Sequence, residues 1–244
     1  MSRVFGYELK RLACNKLFLG LLAINGLYAW FIFTTETIAG VGYTAPFSVW
    51  SACAYVASVM PICILTVWLL IAFYHSKKEK QTEVLTLTTP VSPIRYAMLR
   101  SGVVAVCFCV MLAVVCIIGM VAYAVLFKYT NPLVFGPPIL LVALPCLLLT
   151  LGLGSLAGRV HQGAVYALAL LMLALGFAAA GGTFDFFGHA FYSQYPVTLP
   201  VGADGEPPFA PGAAFCLARA VYAALGLGLY ALSMRGKMRK ENKA

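Results

Sequence analysis

Charged residues are scarce in this sequence. They make up 10% of its 244 residues, whereas 62% of the residues are hydrophobic. A soluble domain carries about a quarter charged residues, because polar side chains have to cover the surface that faces water. The shortage excludes a soluble globular protein and predicts an all-α, polytopic membrane protein.

Two further absences narrow the function. No G-x-x-x-x-G-K-[ST] phosphate-binding loop occurs in the sequence, so any ATP hydrolysis linked to this chain has to come from a partner. The eight cysteines lie almost entirely in apolar runs, and no cysteine lies in the polar segment near residue 190, so a disulfide framework is not expected. We assign no catalytic, cofactor-binding or metal-binding residue.

Six apolar runs are long enough to cross a bilayer, which needs roughly 20 residues per helix. They cover residues 17–35, 48–74, 101–127, 137–157, 164–181 and 213–234. The sequence therefore predicts six transmembrane helices. Pro61 and Pro145 lie within two of the runs and are expected to kink them.

The positive charges are distributed unevenly between the two sides of the predicted membrane. Of the 17 Lys and Arg residues, all but Lys128 and Arg219 lie near the N-terminus, in segment 75–100, at residue 159 or after the last run. The positive-inside rule then places both termini in the cytoplasm of a cell-membrane protein. The net charge of +9 is explained by this topology and by anionic lipid, so the bilayer is an expected partner and nucleic acid is not.

Residues 1–16 show a helical pattern ahead of the first run. One face is apolar, with Phe5, Leu9, Leu12 and Ala13. The other face is polar, with Glu8, Lys10 and Arg11. This pattern predicts an amphipathic helix lying in the membrane interface. The alternative is a basic flank that only fixes the topology.

Segment 75–100 is the one sizeable cytoplasmic loop of the predicted topology. Pro90 and Pro93 interrupt the helix that leaves the membrane, while Ser92 suits the N-cap of a new helix that Pro93 begins. Ile94 and Met98 lie on one small apolar face of that helix. We expect a short exposed helix that returns the chain to the third span and is suited to receive force from another protein.

The same segment resembles the signature of type-2 ABC exporter permeases. That family carries a Glu, a Leu-rich turn, then Pro-Val-Ser and a basic residue leading into the third span. The matching residues here are Glu83, Leu85, Pro90, Val91, Ser92, Ile94 and Arg100. The arrangement of the whole chain is similar too, with an interfacial helix, six spans and an extended outer segment 182–212. Pro93 departs from the pattern, since many relatives have Arg at that position.

The resemblance implies one transmembrane permease domain over residues 1–244 that exports a substrate across the membrane. Segment 75–100 would contain a coupling helix that contacts a soluble ATP-binding cassette subunit, which binds the ATP and Mg. The expected contact residues are Glu83, Leu85, Pro90, Val91, Ser92, Ile94, Arg95, Met98 and Arg100. A second permease copy, identical or not, would complete the translocation path.

Other features leave alternatives open. Arg219 lies inside the last run, where a charge either pairs structurally or contacts a substrate. With Asp185 it is a candidate translocation or gating residue, and segment 182–212 is either a re-entrant element or a plain loop. Small residues at 154 and 158, and at 220, 224 and 228, are expected to serve helix packing.

The rival functions are a secondary transporter or a membrane scaffold that works without an ATPase, and a membrane enzyme. Secondary transporters usually carry paired ionisable residues in their spans and show inverted repeats. This sequence has one intramembrane Arg and no convincing repeat, and it offers an enzyme no constellation of catalytic side chains.

Overall fold

A computed structural model describes residues 2–77, 79, 81, 92–129, 131–178, 185–202 and 205–241. Within these residues the chain is helical and forms no strand. The α-helices are α1 (Ser2–Ala13), α2 (Lys16–Thr35), α3 (Val49–Tyr74), α4 (Pro93–Phe127), α5 (Gly136–Val160), α6 (Gln162–Ala178), α7 (His189–Gln194) and α8 (Ala213–Glu241). Short 3₁₀ turns cover Thr37–Ala39, Pro132–Phe135 and Tyr195–Thr198.

Five of the described helices are long and apolar enough to cross a membrane. They are Lys16–Ala39, Val49–Tyr74, Pro93–Phe127, Gly136–Val160 and Ala213–Arg235. The chain is therefore a multi-pass membrane protein. The predicted fifth run corresponds to α6, whose 17 residues span about 26 Å at 1.5 Å per residue. Residues 179–184 lie outside the described part, so a sixth crossing stays a prediction.

Helix α3 forms the centre of the bundle and contacts α2, α4, α5, α6 and α7. It begins where the Ser48 hydroxyl accepts a hydrogen bond from the Ser51 amide at 3.1 Å, the N-cap arrangement that satisfies a free helix donor. Trp50 and Trp68 are fully buried on it. Helix α3 contains no charged residue, so packing other helices against nearly all of its faces buries no charge.

A buried amide joins three of the spans. The Asn25 side chain on α2 donates to the Thr66 hydroxyl on α3 at 3.1 Å and to the Leu21 carbonyl at 3.0 Å. The same amide lies 3.6 Å from the Met111 sulfur on α4. Since a polar group in the membrane interior needs partners within the protein, these bonds fix how α2 packs on α3.

Helices α5 and α8 approach closely through glycine. A Cβ added at Gly152 would lie 2.2 Å from the Gly226 carbonyl oxygen, so the two backbones are in contact there. The predicted packing stripe on α8 is offset from this contact, because nothing lies within 4 Å of a Cβ added at Gly228. Gly154 and Gly158 do serve packing, but against Ile71 and His75 rather than against α8.

Helix α4 is one continuous element of 35 residues. Its start confirms Ser92 as the N-cap residue and Pro93 in the first turn, although the Ser92 side chain makes no capping hydrogen bond. Residues 93–100, which the sequence placed in a short helix before the third span, are continuous with that span in α4, while residues 82–91 of the predicted coupling segment lie outside the described residues. At 1.5 Å per residue α4 is about 52 Å long, which exceeds the roughly 30 Å hydrocarbon core.

The bundle has two chemically different ends. We call the end formed by α1, the C-terminus of α3 and the first turns of α4 the basic end. We call the other end the aromatic end. It is formed by residues 36–48, the C-terminus of α4, the N-terminus of α5 and residues 185–202 and 205–212.

Candidate functional site

The basic end is held together by a carboxylate that the sequence pattern had placed on the polar face of α1. Glu8 is 3% exposed. Tyr96 on α4 donates its hydroxyl to Glu8 Oε1 at 3.0 Å, and Tyr74 at the end of α3 donates to Oε2 at 3.5 Å. Arg11 Nη2 lies 2.9 Å from the same Oε2. Glu8 therefore joins α1 to both α3 and α4, so this residue of the predicted polar face is buried against the bundle.

A second buried carboxylate continues the network. Glu79 follows α3, and its Oε2 accepts hydrogen bonds from Arg11 Nη2 at 2.9 Å and from Arg100 Nη2 at 3.0 Å. Arg11 thus bridges the two glutamates, and Arg100 on α4 completes the chain of contacts. Two acids and two arginines give a neutral set, which we call the charge network.

Aromatic rings surround the arginines of the charge network. The Arg100 guanidinium lies 4.5 Å from the Tyr96 ring centroid and 4.9 Å from that of Tyr74. Arg11 lies 5.9 Å from the Phe73 ring centroid. Cation–π contacts of this kind contribute more when the cation is removed from water, so the rings stabilise charges that burial would otherwise penalise.

The electrostatics keep Arg11 charged. Burial lowers the pKa of Arg11, but the hydrogen bond to Glu79 and the negative charges of Glu8 and Glu79 raise it by more, so the net direction is upward. A buried ion pair becomes strongly destabilising when one partner is removed, because the other charge is left uncompensated. The charge network therefore acts as a unit.

The charge network lies on both sides of the predicted bend. Glu79 precedes segment 82–91, and Tyr96 and Arg100 follow it. The helices that enter and leave the bend are thus tied to each other and to α1.

Within the part of the chain that the structure describes, the sequence-predicted contact residues differ in exposure. Arg95 is exposed and Met98 is 55% exposed, whereas Ser92 and Ile94 are half-buried. Arg100 is 7% exposed and turned toward Glu79. Its observed contact is inside the chain. Glu83, Leu85, Pro90 and Val91 lie outside the described residues.

No family model, curated protein or solved structure matches the chain.

Glu79, Tyr74 and Tyr96 were not predicted from the sequence, and Glu8 was placed on the polar face of α1. A signal was present in the composition. The chain contains eight acidic residues, and two of those on its basic side are Glu8 and Glu79. An acid among basic residues near a membrane boundary is unusual, so it points to an ion pair.

At the aromatic end, the structure brings together the two residues proposed for gating. Arg219 on α8 is 2% exposed, and its guanidinium donates to the Phe186 carbonyl and, at 2.7 Å, to the Asp185 carbonyl. The Asp185 carboxylate accepts from the Phe191 amide at 2.7 Å, in the first turn of α7. Arg219 therefore has a structural pairing: it fastens the start of the segment that precedes α8.

That segment is folded where the structure describes it. Phe191, Tyr195 and Phe209 surround Trp50, with ring centroids 4.8 to 6.1 Å from that of the tryptophan. The Trp50 indole donates to the Pro207 carbonyl at 3.2 Å. Residues 185–202 and 205–212 thus form a packed cap on α3 and α8 rather than an extended loop.

Proposed function

We propose that this chain is the membrane-spanning permease subunit of an ABC-type exporter, coupled to ATP hydrolysis by a separate nucleotide-binding subunit. The observation that carries the proposal is the charge network. It joins α1, the end of α3 and the start of α4 on both sides of the bend whose residues resemble the coupling helix. A force applied to the bend would then move α1, α3 and α4 together.

The lengths of the two helices support force transmission. Helices α3 and α4 have 26 and 35 residues, or about 39 and 52 Å at 1.5 Å per residue. Both exceed the roughly 30 Å needed to cross the hydrocarbon core, so their ends reach beyond it. A partner at the basic end would move rods that extend through the whole membrane.

The expected partner supplies the chemistry that this chain lacks. The sequence contains no P-loop motif, so ATP and Mg would be bound by the soluble subunit. The distribution of Lys and Arg supports an orientation in which the basic end and both termini face the cytoplasm of a cell-membrane protein. A second permease copy would form the translocation path, and the cap held by Arg219 would close its outer side.

Substitution of the half-buried Ile94, or of Val91, by Asp tests the proposal. The variant is tagged and purified from its native membranes, and soluble subunits that co-purify are identified by peptide mass spectrometry. Wild type should bring down a subunit bearing a Walker motif, and Ile94→Asp should lose it while still inserting into the membrane. The matched control is Tyr43→Asn at the aromatic end, which is 92% exposed and has a positive φ of 63° that asparagine tolerates. Equal recovery of the subunit with Ile94→Asp would contradict the coupling role.

A further inference from the structure

A cavity of about 70 Å³ lies at the basic end, between α3, α4, α5 and α8. A single buried water needs roughly 10–15 Å³ of such free volume, so the cavity has room for a polar group of several atoms. Its wall changes from polar to apolar with depth. Arg100 and Arg159 lie at its outer edge, and Ile71, Val104 and Leu151 lie further into the bundle.

The positive charge at this cavity is only partly balanced by the protein. Among the described residues, no acidic side chain lies on the wall. Arg100 has Glu79 as its carboxylate partner, whereas Arg159 takes part in none of the ion pairs in the described part of the chain. Arg159 Nη1 donates to the carbonyls of Leu232 and Ser233 at 3.3 and 2.7 Å. Since a carbonyl has no net charge, the exposed Arg159 guanidinium keeps a positive charge with which an anion can pair.

Hydroxyl groups complete the polar part of the wall. Ser101 on α4 and Ser155 on α5 are half-buried and line the cavity beside the two arginines. A guanidinium binds phosphate oxygens through charge-assisted hydrogen bonds, and serine hydroxyls can donate to the same oxygens. The wall therefore offers the donors that a phosphate group requires.

The surroundings of Arg159 distinguish a phospholipid from a phosphate ion in the aqueous phase. Val160 is 80% exposed and Leu232 is 53% exposed, so apolar surface adjoins the cation. In the sequence, residues 235–243 after the last span contain five Lys and Arg residues. Basic clusters directly after a transmembrane helix attract anionic lipid. A phospholipid uses both features, because its acyl chains adjoin its phosphate.

We propose that this cavity binds the phosphate of an anionic phospholipid. Arg159 is the charge partner of the phosphate, Ser101 and Ser155 donate to its oxygens, and the acyl chains lie along the exposed apolar surface of α5 and α8. The site does not depend on an ATPase partner or on the proposed transport function.

The experiment uses the full chain in detergent with equal amounts of phosphatidylglycerol and phosphatidylcholine that have identical acyl chains. Both lipids contain a phosphate, but only phosphatidylglycerol has a net negative charge. Native mass spectrometry counts the bound lipids, and wild type should retain more phosphatidylglycerol than phosphatidylcholine. Arg159→Gln should lower the ratio of the two by about ten-fold, as expected for one hydrogen bond between charged groups. The matched control, Arg3→Gln, removes the same charge from an exposed position of α1 outside the cavity and should keep the wild-type ratio.

Two further variants separate lipid binding from a purely structural role of Arg159. Ser155→Leu fills the cavity and leaves Arg159 in place, so the ratio should fall as in Arg159→Gln. Arg159→Lys keeps the charge and should retain most of the preference. An equal loss in Arg159→Lys and Arg159→Gln would overturn the role of the charge. A wild-type ratio in both Arg159→Gln and Ser155→Leu would overturn the site, and Ser155→Leu alone decides if Arg159→Gln does not elute as a single species.

A last arm tests the source of the phosphate. Inorganic phosphate is titrated into wild type in phosphatidylcholine nanodiscs and followed by calorimetry. We expect no saturable binding, because a free ion gains nothing from the apolar surface beside Arg159. Saturable binding that disappears in Arg159→Gln would assign the cavity to a free phosphate and overturn the assignment to a lipid.

Discussion

Two buried arginines lie at opposite ends of this bundle and have different kinds of hydrogen-bond partner. Arg100 at the basic end has a carboxylate partner, Glu79, which it shares with Arg11. Arg219 at the aromatic end donates to the backbone carbonyls of Asp185 and Phe186. Both sets of partners offset part of the cost of a buried charge, but they differ in origin.

The difference separates two mechanical roles. The carboxylates of the charge network come from α1 and from the residues after α3, while the tyrosines that contact it come from α3 and α4. Separate elements joined by side chains move together when one of them is pushed. The carbonyls that hold Arg219 belong to the backbone of the cap itself, so that arginine fixes a local fold.

The largest effect is expected at the charge network. Glu79→Leu removes a carboxylate that accepts hydrogen bonds from both Arg11 and Arg100, so the free energy of unfolding should fall by about 3–5 kcal/mol. Thermal unfolding of the detergent-solubilised protein measures the loss. The double variant Glu79→Leu/Arg100→Leu should lose less than the two single variants added together. Additive losses would show that the two side chains are not coupled.

Arg219→Met should destabilise the cap by about 2–3 kcal/mol, because hydrogen bonds to a charged group contribute on that scale. Limited proteolysis should then cut within residues 185–202, which we expect to be protected in wild type. Arg159→Met is the control: Arg159 is exposed and donates to the Ser233 carbonyl at 2.7 Å at the basic end. Cleavage of the cap in the Arg159 variant, or its protection in the Arg219 variant, would remove the distinction between the two ends.

The contact between α5 and α8 offers a third test. Gly226→Ala should cost about 1–3 kcal/mol through overpacking, since its Cβ would lie 2.4 Å from the Leu148 backbone. Gly228→Ala, two residues along the same helix, meets open space and should be close to neutral. Thermal unfolding of the pair decides between the observed contact at Gly226 and the predicted stripe, which includes Gly228.

The smallest expected effect concerns Trp50. Trp50→Phe retains an aromatic ring against Phe209 but loses the hydrogen bond to the Pro207 carbonyl, worth about 1 kcal/mol. The change should appear as a small decrease in the unfolding temperature without new cleavage sites in the cap. A loss as large as that in Arg219→Met would mean that the indole hydrogen bond, rather than the arginine, holds the cap.

The positions of the helices could be predicted because each helix is determined mainly by its own stretch of sequence. Apolar runs of about 20 residues locate the spans, and Ser92 with Pro93 marks the start of α4. The continuity of α4 was not predictable in the same way. Arg95 and Arg100 interrupt the apolar pattern and favoured a loop helix, whereas Arg100 is neutralised by a residue from outside its own helix.

The candidate site depends on contacts between distant parts of the chain. Helical periodicity places Glu8 on the polar face of α1, and nothing in the neighbouring sequence reveals the tyrosines from α3 and α4 that surround it. The contact between Gly152 and Gly226 likewise could not be predicted from the sequence. Small residues on α8 were visible, but the register of α8 against α5 selects Gly226 over Gly228.

The most direct test measures the movement of the bend. A spin label is attached at the exposed Arg95 position, as Arg95→Cys in a variant whose exposed Cys14 and Cys109 are replaced. Distances between the labels of two permease copies are then recorded by pulsed electron paramagnetic resonance in the complex with the ATPase subunit. Trapping the ATPase subunit with ADP and vanadate should shift this distance by about 1–2 Å, the scale of helix shifts at subunit interfaces. An unchanged distance distribution, or substrate transport by vesicles that contain this chain and no ATPase, would contradict the proposal that a separate motor drives it.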